Sequence, residues 1–76
     1  MRLFLYTGPD CHLCELAKRE LTELREKQIE IVYRNIKNHT DWYHKYAVRI
    51  PVLQREDNRS ELNWPFSVDE IRDFIL

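Results

Sequence analysis

Cys11 and Cys14 are the residues of this sequence best placed to do chemistry. They are its only two cysteines. Three positions apart, they are too close to staple a small secreted fold, and such a pair serves reversible redox chemistry or metal ligation more often than structure. The run Tyr6-Thr7-Gly8-Pro9-Asp10-Cys11-His12-Leu13-Cys14 reads as a strand that ends in a tight turn and delivers both cysteines to the first turn of a helix. Unpaired backbone N–H groups and the positive end of the dipole stabilise an anion there, so Cys11 is favoured as a thiolate and becomes the nucleophile. Cys14 lies one turn further in and is expected to be the more buried. Its spacing puts it on the same face, within reach of a mixed disulfide formed at Cys11, so Cys11 attacks and Cys14 resolves.

Two other readings compete for the pair. The cysteines could simply pack, as small apolar side chains. They could instead be half of a structural zinc site completed by His39 and His44. The stretch between Cys14 and His39 is much longer than a zinc finger allows and is occupied by a helix and a strand, so His39 and His44 are expected as exposed residues near the second helix. His12 adjoins the nucleophile, where a protonated imidazole would favour the thiolate, or else it is a solvated residue of the helix start. Asp10 is a candidate cap for that helix, although its charge would oppose thiolate formation.

The elements that position these residues follow from periodicity. Arg2 to Tyr6 is a run suited to a strand covered on both faces. From Cys11 to Lys27, Leu13, Leu16, Ala17, Leu21 and Leu24 recur at helical spacing with charged residues between them. Gln28 to Ile36 returns to β-branched and aromatic residues, which makes a strand-helix-strand unit with parallel strands and a right-handed crossover. A short helix is expected within Asn38 to Ala47, capped by Thr40 and anchored by Trp42, Tyr43 and Tyr46. Pro51-Val52-Leu53-Gln54 reads as a third strand and the segment through Leu62 to Trp64 as a fourth, joined antiparallel by the polar turn Glu56-Asp57-Asn58-Arg59. Ser67-Val68-Asp69-Glu70 is a capping box, followed by Ile71, Phe74 and Ile75 on the buried face of a last helix, with Trp64-Pro65-Phe66 packed against it.

A chain of 76 residues accommodates one domain, residues 1–76, with a small core. Its hydrophobic share of 43% and charged share of 33% are those of a folded protein. With a formal net charge of -1 and basic residues scattered among acidic ones, it has no field to gather nucleic acid or anionic lipid. The apolar run Leu3-Phe4-Leu5-Tyr6 is too short for a signal peptide or a membrane span, and a cytoplasmic monomer is expected by default.

These residues together resemble glutaredoxin-like proteins of the thioredoxin superfamily, in particular small, mainly bacterial ones carrying C-H-L-C. The resemblance rests on the strand Leu3 to Tyr6, Cys11-His12-Leu13-Cys14, Arg49-Ile50-Pro51-Val52-Leu53 and the late Leu62-Asn63-Trp64-Pro65-Phe66. It implies an α/β thioredoxin-like fold of order β-α-β-α-β-β-α, a four-stranded mixed sheet flanked by three helices. It also implies a cis proline at Pro51 lying against the cysteines, with His12, Ile50 and Pro51 on the side that meets substrate. The activity implied is thiol-disulfide oxidoreduction on a protein or small-molecule disulfide, with no tightly bound cofactor or metal and with electrons from glutathione or a thioredoxin-type reductase; the alternative is a redox-responsive or metal-binding module built on Cys11 and Cys14 without turnover. The chain differs from well-studied glutaredoxins in having His12-Leu13 between its cysteines. Its single glycine, Gly8, also leaves no Gly-Gly pair to help hold glutathione.

Overall fold

The computed structural model describes residues 1–76. In chain order it contains β1 (Arg2–Thr7), α1 (His12–Leu24), β2 (Glu30–Asn35), a 3-10 turn at Ile36–Asn38, α2 (Thr40–Tyr46), β3 (Val52–Arg55), β4 (Glu61–Asn63) and α3 (Val68–Phe74). The four strands form one mixed sheet in the order β2-β1-β3-β4, with β1 parallel to β2 and antiparallel to β3. This is the expected thioredoxin-like arrangement.

Alternation along the strands divides the core in two. Leu3 and Leu5 of β1 and Leu53 of β3 point to one face, where Ala17, Leu21 and Leu24 of α1 and Ile71 of α3 cover them. On the other face Phe4, Tyr6 and Val52 pack with Ile36 and Tyr46, under α2. A strand buried on both faces needs apolar residues in succession rather than in alternation, which is why β1 reads Leu-Phe-Leu-Tyr. None of the helices is long and apolar enough to cross a membrane.

Element boundaries depart from the sequence reading in specific ways. α1 stops at Leu24, not Lys27, because Arg25 takes the left-handed conformation (φ 52°) that ends a helix. Leu13 and Tyr43, expected on buried faces, are 46% and 52% exposed. Thr40 is the first residue of α2, not its cap; the cap position belongs to His39, whose side chain makes no capping bond. At α3 the capping box is as expected: Ser67 Oγ accepts from the Glu70 N–H at 3.2 Å, and Glu70 Oε1 accepts from the Ser67 N–H at 3.2 Å. Ser67→Ala is expected to cost about 1 kcal/mol, read as a lower urea midpoint at unchanged m-value.

Two polar clamps close the sheet edge. Arg55 grips Asp57 with two hydrogen bonds of 2.9 and 2.7 Å and donates to the carbonyls of Phe74 and Leu76 at 2.8 and 3.1 Å, tying the hairpin to the end of α3. Between α2 and β4, Glu61 accepts from the Tyr46 hydroxyl at 2.7 Å and from Arg49 Nη2 at 2.6 Å. Burial alone would raise the Glu61 carboxyl, but the bonds from Arg49 and Tyr46, with the charges of Arg49 and Lys45, outweigh it and hold its pKa below the ordinary value. Burial first, then the bond to Glu61, pushes the Tyr46 hydroxyl upward, so it stays protonated as a donor. A carboxylate with a depressed folded pKa stabilises the fold above its unfolded pKa and loses that contribution as pH falls through the folded one. Glu61→Gln is therefore expected to be less stable than wild type at neutral pH, with the gap narrowing as pH drops below the carboxylate range, in melts run from pH 7 to pH 2.

Candidate functional site

Strand β1 ends by running Thr7-Gly8-Pro9-Asp10 out of the sheet toward α1. Tyr6 pairs with Val52, and continuing that antiparallel register sets Thr7 level with Pro51 and Gly8 level with Ile50. Side-chain packing agrees: a Cβ on Gly8 would sit 2.9 Å from Ile50 Cδ1 and 3.6 Å from Ile36 Cγ1. The only glycine is thus required for close approach, bringing the loop that leads to Cys11 and the loop before β3 side by side. The Ile50-Pro51 bond is cis and Pro51 is fully buried. Trp64-Pro65 is cis as well, which the sequence reading did not anticipate.

The first turn of α1 is capped by sulfur. Asp10, expected as the cap, has φ 54° and lies outside the helix; the N-cap residue is Cys11, whose Sγ accepts the Cys14 N–H at 3.1 Å. Cys11 and Cys14 are joined as a disulfide with their Cα atoms 5.2 Å apart. Their exposures differ in the way that the expected roles require. Cys11 is half-buried at the mouth of the helix, while Cys14 is 1% exposed beneath it. His12 and Leu13 face solvent between them.

His39 and His44 are exposed and are not gathered with the cysteines; no three His, Cys, Asp or Glu side chains are grouped as a metal site. The site is therefore a sulfur pair at a helix start, flanked by exposed His12 and Leu13 and by the Ile50-Pro51 loop across Gly8.

The family profile named Glutaredoxin-like domain (DUF836) matches residues 2–76. The chain belongs to this family. This glutaredoxin-like chain is also similar to solved structures. The X-ray structure of XcR50 from X. campestris is 32% identical, with 96% of this chain and 93% of that one covered and a TM-score of 0.83. The solution structure of Ne2328 from Nitrosomonas europaea is 29% identical, with 96% and 88% covered and a TM-score of 0.78. A malarial protein at 15% identity shares the fold alone, with a TM-score of 0.73. No match is found among the curated proteins.

Two features of the structure, one at the cysteine pair and one away from it, were not visible in the sequence. Cap preferences favour Ser, Thr, Asp and Asn, so Asp10 masked Cys11 as the capping residue. The polar chain Arg34, Tyr6, Gln54 that runs beneath α2 depends on strand register, which residue types alone do not supply. Its bonds are 2.9 Å from Arg34 Nη1 to the Tyr6 hydroxyl and 2.9 Å from that hydroxyl to Gln54 Oε1.

Proposed function

We propose that this glutaredoxin-like chain is a thiol-disulfide oxidoreductase. The observation that carries the reading is the pairing of one accessible and one buried sulfur at the start of α1. In the reduced protein the Cys11 thiolate, favoured by the helix end, attacks one sulfur of a substrate disulfide, forms a mixed disulfide and displaces the first thiol. Cys14, deprotonated, then attacks Cys11 Sγ, displaces the second thiol and closes the Cys11–Cys14 disulfide. Two electrons pass from the dithiol to the substrate. The return step spends two thiols of glutathione, or the dithiol of a thioredoxin-type reductase. Burial protects Cys14 from external disulfides and leaves it the mixed disulfide as its partner.

His12 and the Ile50-Pro51 loop are the groups that would meet the substrate, a protein or small-molecule disulfide, and a cytoplasmic monomer without a tightly bound cofactor suits this role. Trapping tests the reading. Reduced Cys14→Ser protein is mixed with oxidised glutathione or a disulfide-bonded peptide and its mass is measured. One adduct on Cys11 is expected, persistent in this variant and only a small, transient fraction in wild type; an unmodified Cys11 would sink the proposal.

A further inference from the structure

A cavity of about 410 Å³ opens on the α2 face of the sheet, and neither cysteine nor the Ile50-Pro51 loop lines it. Its floor is Arg34 laid across the aromatic residues of β1 and α2. The guanidinium carbon is 3.6 Å from the centre of the Phe4 ring and 4.8 Å from that of Trp42. Cation–π contact offsets part of the cost of half-burying this charge but supplies no counter-ion. No carboxylate lies within ion-pair distance of Arg34. One of its N–H groups is used on the Tyr6 hydroxyl, and the others make no hydrogen bond to protein.

The order of donors fixes what the cavity offers. Arg34 donates to Tyr6, and Tyr6 donates to Gln54 Oε1. Gln54 is left with its amide N–H₂ to present, so Arg34 and Gln54 both hold unused donors at the floor. Charge agrees. Four basic side chains (Arg34, Lys45, Arg55, Arg59) and two acidic ones (Asp41, Glu56) line the cavity, a surplus of two positive charges on a chain whose formal net charge is -1. Glu56 is engaged by Arg2 at 2.6 Å and Arg55 by Asp57 at 2.7 Å, which leaves the same surplus among the remaining groups. Lys45 reaches Glu61 only at 4.0 Å.

We infer that this cavity binds a phosphate monoester, a dianion whose oxygens match the guanidinium fork of Arg34 and whose charge matches the surplus. The site is separate from the thiol chemistry and stands whether or not the chain turns over disulfides. Free phosphate shares the recognition chemistry of the ester, and separate titrations with inorganic phosphate and phenyl phosphate distinguish them.

The test follows the Trp42 indole N–H by NMR in the intact oxidised protein during each titration, at constant ionic strength. Saturable shifts are expected, with phenyl phosphate the tighter ligand because its ring adds apolar contact in a cavity lined by Phe4, Trp42 and Tyr46. Arg34→Gln should weaken binding about tenfold or more, the scale of a lost charge-assisted pair, and Arg34→Lys should restore part of it. Arg59→Gln removes an exposed rim charge without touching the core, and a roughly threefold loss is expected from one screened surface contact. Unsaturable drift with both ligands, inorganic phosphate binding as tightly as the ester, or an affinity unchanged in Arg59→Gln and in whichever Arg34 variant folds would overturn the assignment.

Discussion

A Cys11→Ser variant is expected to lose disulfide reduction by a factor on the order of a thousand or more, since a serine hydroxyl does not ionise near neutral pH and no other nucleophile occupies the mouth of α1. The fold should survive, because serine is among the preferred N-cap residues and can accept the Cys14 N–H that the sulfur accepts now. Loss of activity can therefore be separated from loss of structure by comparing urea midpoints of the reduced variant and reduced wild type. Cys14→Ser should behave differently: it forms the first adduct at close to the wild-type rate but cannot clear it without an external thiol. Equal rates of adduct formation in Cys11→Ser and wild type would contradict the assignment of the nucleophile.

The largest stability effect is expected at Leu5. Its side chain is completely buried at the centre of β1, between Tyr33 of β2 and Leu53 of β3 in the sheet and beneath α1 and α3. Leu5→Ala removes three carbons where the sheet and two helices meet and cannot relax inward freely. A loss of about 2–5 kcal/mol is expected, a large part of the roughly 5–15 kcal/mol that holds a small domain together. For a domain of this size each kcal/mol moves the melting temperature by about 4–8 °C, so a fall of more than about 10 °C should be seen. Leu13→Ala, at an exposed position between the cysteines, should stay within about 0.5 kcal/mol of wild type. Similar melts for the two variants would mean that the core is not centred on β1.

How far the fold could be read in advance depended on whether the signal was local. The Leu-Phe-Leu-Tyr run could be assigned to a doubly covered strand because burial on both faces removes polar alternation, and Ser67 with Glu70 marked the start of α3 because a capping box lies within four residues. Helix ends were harder. Nothing near Leu24 resembles a stop: the residue that turns left-handed there is Arg25, where glycine would have been the signal. At the candidate site, types and spacing singled out Cys11 and Cys14, and the difference in burial between them followed from one turn of helix. The proximity of Ile50-Pro51 came from the resemblance; the register of β1 against β3 and the contact at Gly8 supply its physical basis. Arg34 was hidden for the opposite reason. An arginine in an apolar strand reads as a solvent-facing residue, and only the parallel pairing of Tyr6 with Arg34 and the cover of Trp42 turn it into the floor of a cavity.

The measurement that bears most directly on the central claim is a redox titration of purified wild-type protein in glutathione buffers of graded ratio, with the Cys11–Cys14 state read by thiol labelling and mass. A reversible two-electron transition within the buffered range, with a small population glutathionylated on Cys11 and none on Cys14, is the result expected of an oxidoreductase. Thiols that remain inert across the whole range, or a disulfide that no ratio of glutathione opens, would contradict it.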